Sequence, residues 1–232
     1  MGRRCCVVLK KMSRFAQRAN HEDGRVTYNL KVLRAVQTSS IFRPCIDQMP
    51  VPPETNEQGA FHAFFADIVE RGKRNGRFEL FTLDSGYCYR TIADRIDQEG
   101  YAYLMALKMG QRELLKEAKR ILLLKMKNEM PEAVSDWEIH GGDRVKRELW
   151  RTMEMAGYPT TSGEWKHLRQ VWLVRTTRRK ATGKEETSLL YFVTNLLRNR
   201  LNPKECLAVV RAHWGVENDC FWSMDKAWVS GG

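Results

Sequence analysis

Apolar residues first repeat at every second position in Val26-Thr27-Tyr28-Asn29-Leu30-Lys31-Val32-Leu33-Arg34-Ala35-Val36, a β-branched run that predicts a strand. A second extended segment, about Arg43 to Met49, ends at Pro50-Val51-Pro52-Pro53, where the lost N–H donors stop a sheet ladder. The period then lengthens. Ala60, Phe61, Phe64, Phe65, Ile68 and Val69 recur at helical spacing after Thr55, a candidate cap, and the pattern stops near Gly72. Alternation returns in Arg77 to Leu83 and runs into Asp84-Ser85-Gly86, a strand meeting a loop at its carboxyl end. A helix from about Tyr89 to Gln98, a strand from Tyr101 to Leu107 and a long helix from Gln111 to Lys127 follow. Strands separated by helices predict an α/β core with at least partly parallel pairing.

The pattern changes near residue 137. Trp137-Glu138-Ile139, Arg144 to Trp150, Trp165 to Thr176 and Thr187 to Asn195 read as antiparallel strands, with Lys180 to Glu186 as a polar hairpin tip. Asn202-Pro203 then opens a last helix that runs through His213, Glu217 and Trp222. Four stretches result: a basic leader over 1–24, expected to be poorly ordered; a first core part over 25–136; a β-rich insertion over 137–196; and a core-completing helix over 197–232.

Charge narrows the partners. The 232 residues carry a formal net charge of +11, concentrated in two blocks: nine basic and two acidic groups in residues 1–34, and thirteen and five in residues 144–200. The intervening 35–143 leans acidic, with seventeen carboxylates against fourteen cations. Two basic blocks around an acidic middle suit a polyanion, with carboxylates left for other work. No apolar stretch approaches the length of a membrane span, so no membrane partner is expected. The six cysteines show neither a C-x-x-C pair nor a preceding signal segment, which reads as reduced thiols in the cytoplasm.

Several chemistries drop out. The five histidines stand at no metal-ligand spacing, Gly141-Gly142 lacks the lysine of a phosphate-binding loop, and no serine nucleophile elbow is present. Carboxylate chemistry remains. Asp84 stands at a strand's carboxyl end, where α/β sheets gather ligands, or else caps the following turn through its side chain. Glu217 lies within two helical turns of Arg211 and His213, either as part of a site or as a surface pair with His213 at i, i+4.

Phe81-Thr82-Leu83-Asp84-Ser85-Gly86-Tyr87-Cys88, then Ala93, then Tyr101 to Lys108 and Gln111, resemble the second-aspartate block of DDE transposases from bacterial insertion sequences, in the group with the H-repeat-associated proteins. Tyr191 to Leu196, followed by Arg211-Ala212-His213-Trp214-Gly215-Val216-Glu217-Asn218 with Trp222 and Asp225, are similar to the same family's glutamate block. Thr55-Asn56-Glu57 and Asp143-Arg144-Val145-Lys146-Arg147 also resemble family features. The likeness runs collinearly over roughly residues 25–228. It implies a ribonuclease-H-like mixed sheet flanked by helices, in which two aspartates and a glutamate hold two Mg²⁺ or Mn²⁺ ions for DNA strand cleavage and transfer.

Carried over residue by residue, the resemblance makes Asp84 and Glu217 metal ligands and catalytic residues. Lys108, Arg211, His213, Arg144, Arg147, Arg175, Arg178 and Arg179 become candidates for double-stranded DNA, as transposon ends and target. The family implies a homodimer on DNA and a cytoplasmic, nucleoid-associated bacterial protein. One departure is marked. The family's first aspartate lies as Asp-Gly-Lys on a strand before Val26, whereas here Asp23-Gly24 follows a polar stretch and Asp47 is a poor substitute. Lys108-Met109-Gly110-Gln111 also differs from the usual Lys-Gly-Asn-Gln. The expectation is a transposase fragment, weak or silent in catalysis by itself, with a non-catalytic protein occupying transposon ends as the alternative.

Overall fold

A computed structural model describes residues 17–20, 22–29, 31–39, 44–73 and 78–215. These fall into two compact units, divided between Arg77 and Phe78 and again after Arg211.

The first unit begins with an antiparallel hairpin of β1 (Gln17–Asn20) and β2 (Val26–Asn29). Its turn contains Gly24 at φ +80°, a left-handed conformation that glycine adopts without a Cβ penalty. Strand β1 lies inside the 1–24 stretch, where no period was legible. The run from Val26 to Val36, expected as one strand, is two. Tyr28 pairs back with Arg18, whereas Val32 pairs forward with Pro50, so the chain changes partner between them. Strands β3 (Val32–Val36) and β4 (Cys45–Pro50) form the second hairpin.

Helix α1 (Glu57–Lys73) packs against that hairpin. Ala60, Phe61, Phe64, Phe65, Ile68 and Val69 are buried along one of its faces, as their spacing predicts, and Leu33 and Val51 are buried as well. The helix starts two residues later than Thr55. Asn56 therefore occupies the cap, its Oδ1 accepting the Gly59 N–H at 2.9 Å.

The second unit is built on one mixed sheet. Strand β5 (Leu80–Leu83) leads through a 3-10 turn into α2 (Arg90–Gln98), then β6 (Ala102–Leu107), a second 3-10 turn and α3 (Arg112–Asn128). Short strands β7 (Ala133–Val134) and β8 (Glu138–His140) precede the long β9 (Asp143–Thr152). A small hairpin of β10 (Pro159–Thr160) and β11 (Gly163–Glu164) interrupts the chain before β12 (Gln170–Arg179) and β13 (Glu185–Thr194), and α4 (Pro203–Gly215) closes it. The order across the sheet is β5-β6-β13-β12-β9-β7, with β8 also on β9. Only β5 and β6 run parallel, joined by the α2 crossover; the other pairs are antiparallel. Strands β8, β9, β12 and β13 are thus hydrogen-bonded into the same sheet as β5 and β6, through β13 on β6, while β10 and β11 pair only with each other among the described residues.

Helices cover both faces. Alternate strand residues point to opposite sides, and cross-strand partners share a side. Trp150 Nε1 donates to the Glu129 carbonyl just after α3, at 3.0 Å, which places that helix end on the Trp150 face. Arg151 points the other way and reaches Leu201 O at 3.2 Å and Cys206 Sγ at 3.5 Å, which places the start of α4 on the opposite face. Trp150, Trp165 and Trp172 are fully buried. Trp165, expected in a strand, lies instead in a tight turn where Leu168 N donates to its carbonyl at 3.0 Å, and β12 begins only at Gln170.

Asn195 locks the β6–β13 edge. Its Oδ1 accepts the Tyr103 N–H at 2.7 Å, and its Nδ2 donates to Asp97 Oδ1 at 2.8 Å and to Tyr101 O at 3.0 Å. His167 Nδ1 meets the same Asp97 at 2.8 Å. Asn195→Ala strands the buried Tyr103 N–H and takes one donor each from the Tyr101 carbonyl and from Asp97, which keeps His167. It is expected to cost about 2–3 kcal/mol in urea unfolding, against less than about 0.5 kcal/mol for exposed Asn128→Ala.

Candidate active site

Asp84 stands immediately after β5, with extended backbone at φ −64° and ψ 162°. Tyr87 N donates to its carbonyl at 2.9 Å, closing the 3-10 turn Ser85–Tyr87. The Asp84 carboxylate makes no cap hydrogen bond to that turn, so the capping role open from sequence is not the one it has. Beneath the turn, Cys88 is buried, and desolvation pushes its thiol up to about 12, far from the thiolate a nucleophile needs. Among the described residues, Cys88 and Cys206 are free cysteines.

Parallel register carries Lys108 to the same edge. Leu83 lies opposite Met105, so Asp84 is level with Ala106 and Lys108 is two residues further along β6, exposed. Gly86 and Gly110, in the turns after the two strands, have open space where a side chain would stand. Among the described residues, Asp84 and Lys108 are thus a carboxylate and a cation brought to one edge.

Helix α4 is seated by charge and caps. Asn202 Oδ1 accepts the N–H groups of Lys204 and Glu205 at 3.0 Å each, while Glu205 Oε2 accepts the Asn202 N–H at 2.7 Å, a reciprocal capping box. Arg151, buried at 4% exposure, donates through Nε at 3.0 Å and Nη2 at 2.9 Å to Glu132 Oε2, which also takes Arg198 Nη2 at 2.8 Å. Burial works to raise the Glu132 carboxyl. Hydrogen bonds from Arg198 and Arg151, with their charges, outweigh it and hold the group below the usual range.

Further along, Glu138 accepts Arg211 Nη1 of α4 and Arg147 Nη1 of β9, each at 2.9 Å, with His140 Nε2 at 3.4 Å. Arg211 thus ties α4 to β8 and β9. His213 lies in the last described turn of α4, and Glu217 falls outside the described residues, as does Trp222.

The remaining basic candidates divide by face. Arg144, Arg175 and Arg179 share the Trp150 side of the sheet; Arg147 and Arg178 share the Glu138 side. Arg175 Nε donates to its cross-strand neighbour Glu148 at 2.6 Å and stacks over Trp150, while Arg179 pairs with Glu185 at 2.5 Å and stacks over Trp137. Arg178 reaches Asp143 at 3.5 Å. Arg144 is exposed, whereas Arg147 is buried and held by Glu138. Sequence reasoning missed Glu132, Glu138 and Arg151, since an ion pair across strands depends on register. Charges at inward positions of β9 were the legible signal.

The two substitutes for a first aspartate are also placed. Asp23 is in the β1–β2 turn, accepting Arg25 Nε at 2.6 Å, and Asp47 is in β4, paired with Arg71 at 3.1 Å. Among the described residues, no group of three or more His, Cys, Asp or Glu is arranged to hold a metal ion. Asp84 is the carboxylate the described residues bring to the edge.

A family model described as "Transposase DDE domain" matches residues 12–225, nearly the whole chain. The chain belongs to the DDE transposase family. Within this family it is 25% identical over 196 residues to the "H repeat-associated putative transposase YhhI" of Escherichia coli K12, covering 81% of this chain and 48% of that protein. It is 26% identical over 149 residues to the "Putative transposase YncI" of Escherichia coli O157:H7, covering 63% of this chain and 37% of that one. The matches thus span less than half the length of these curated relatives. The DDE domain here is a mixed α/β structure, and among its described residues no helix is long and apolar enough to cross a membrane.

Proposed function

We propose that the chain acts in DNA transposition, with the Asp84 edge as part of a metal-dependent site for phosphodiester cleavage and strand transfer. The observation that carries this reading is the position of Asp84 inside the family match, at the carboxyl end of a parallel strand. In this reading the fold is ribonuclease-H-like: residues 25–136 and 197–232 supply the core, and 137–196 is the β-rich insertion.

Asp84 and Glu217 are the proposed ligands. Their carboxylate oxygens suit Mg²⁺ or Mn²⁺, hard cations that prefer oxygen. When bound, such ions activate the attacking oxygen and stabilise the leaving one. The chain's own groups do the rest. Lys108, two residues beyond the level of Asp84, sets a cation where a phosphate approaches. Arg211 and His213 lie on the helix that leads toward Glu217, and Arg144, Arg175, Arg178 and Arg179 offer cations to the backbone of transposon-end or target duplex. Arg147 belongs to this set through its grip on Glu138, and so on Arg211. Chemistry at two transposon ends favours two copies of the chain on DNA.

The test is nicking of a transposon-end duplex in Mn²⁺. Slow nicking is expected, because two carboxylates hold a divalent cation less firmly than three; EDTA or Glu217→Ala abolishes it. Salt-sensitive binding with no nicking in any metal would overturn the catalytic reading and leave a protein that occupies transposon ends.

A further inference from the structure

Helix α3 carries an arrangement that the site described above does not use. Its buried residues, Leu114, Leu115, Ala118, Ile121 and Leu122, line one side. On the other side Arg112, Lys116, Lys119, Leu123 and Lys127 follow one another at spacings of four, three, four and four, which stacks them into one exposed stripe. At 1.5 Å per residue the stripe is about 22 Å long, a length over which duplex DNA presents about 13 phosphates.

The acids of this helix are already committed. Glu113 accepts the N–H and hydroxyl of Thr161, Glu117 pairs with Arg120 at 2.7 Å, and Glu129 pairs with Lys125 at 2.8 Å. Arg112, Lys119 and Lys127 have no acid three or four positions away, and the one such acid near Lys116 is Glu113, held by Thr161. Arg112, Lys116 and Lys119 are moreover like-charge neighbours, which weakens a helix unless an anion lies across them. The stripe also has a direction. Its first residue follows the 3-10 turn Met109–Gln111, which starts from Lys108 at the Asp84 edge.

We propose that the outward face of α3 is a track for the phosphate backbone of duplex DNA, leading it to the edge where Asp84 stands. This rests on the reading of the chain as a DNA-acting transposase and adds a contact surface to it. The contacts are to phosphate, so they position the duplex and carry no sequence preference.

Fluorescence anisotropy of the full chain with a labelled random-sequence duplex, in EDTA across a salt series, tests the proposal. Lys116→Gln/Lys119→Gln/Lys127→Gln keeps good helix formers at exposed positions and removes three charges. Lys166→Gln/Arg169→Gln/Lys204→Gln removes three exposed charges elsewhere in the same unit. The α3 variant is expected to bind at least about tenfold more weakly and to flatten the slope of log affinity against log salt by about 2.7, at roughly 0.9 per lost phosphate contact. The control variant should stay within about twofold of the parent. A parental slope in the α3 variant with unchanged circular dichroism, or equal losses in both variants, would overturn the track. A parent chain that fails to bind duplex at low salt would overturn the DNA reading itself, a result distinct from failure of the stripe alone.

Discussion

Replacing Asp84 with Asn is expected to weaken Mn²⁺ binding by at least about 100-fold and to remove the metal-dependent nicking, while duplex binding in EDTA stays within about twofold. The amide keeps the shape of the side chain but loses the negative oxygen that a hard cation requires. Because the Asp84 side chain makes no cap bond to the Ser85–Tyr87 turn, the backbone there is closed by the Tyr87 N–H and is not held by the carboxylate being changed. The Ser85–Tyr87 turn should therefore keep its backbone closure in the variant. Manganese titration by electron paramagnetic resonance, with urea unfolding of the same samples, separates the two effects. Unchanged manganese affinity would contradict the role of Asp84 as a ligand.

The second large effect is structural. Arg151→Ala is expected to destabilise the second unit by about 3–5 kcal/mol, the usual cost of breaking a buried charge pair from one side. Five donor–acceptor contacts meet at this guanidinium: two with Glu132 and one each with Arg198 O, Leu201 O and Cys206 Sγ. Its loss leaves Glu132 with Arg198 and the backbone N–H of residue 151, and takes the donor from the Arg198 and Leu201 carbonyls before α4. Arg151→Lys should recover little, since an ammonium cannot reproduce the two-pronged approach to a carboxylate.

The same cluster gives stability an acid limb. The Glu132 carboxyl is depressed in the folded protein, so its contribution is fully present above the ordinary value of 4.5 and is lost as pH falls through the lower folded value. Glu132→Gln should flatten that part of the stability profile, which chemical unfolding between neutral pH and acid will show.

Where the sequence was readable, local periodicity was enough. Leu114, Leu115, Ala118, Ile121 and Leu122 sit on the buried side of α3, and the Lys180–Glu186 stretch turns between β12 and β13, as pattern alone predicts. Short strands were not readable: Ala133–Val134 and Pro159–Thr160 have two residues each, too few for a period, and owe their form to partners elsewhere in the chain. The single strand read over Val26–Val36 failed for a related reason, since alternation does not reveal where a chain changes partner.

The candidate site followed the same division. Asp84 and Lys108 were legible because strand ends are local features, and their shared edge follows from the parallel pairing that the α2 crossover implied. The opposite facing of Arg144 and Arg147 was contained in their odd spacing, but which of them would be covered depended on where α4 docks. Glu132 and Glu138 were invisible as functional residues because each draws its partners from positions distant in sequence.

In the proposed function, Asp84 and Glu217 serve one metal site. A crystal structure of the chain grown with Mn²⁺ tests it most directly, through the anomalous signal of the ion. Manganese is expected at about 2.0–2.2 Å from carboxylate oxygens of both Asp84 and Glu217. Manganese bound elsewhere, or the two carboxylates too far apart to share an ion or an adjacent pair about 3.5–4 Å apart, would contradict it.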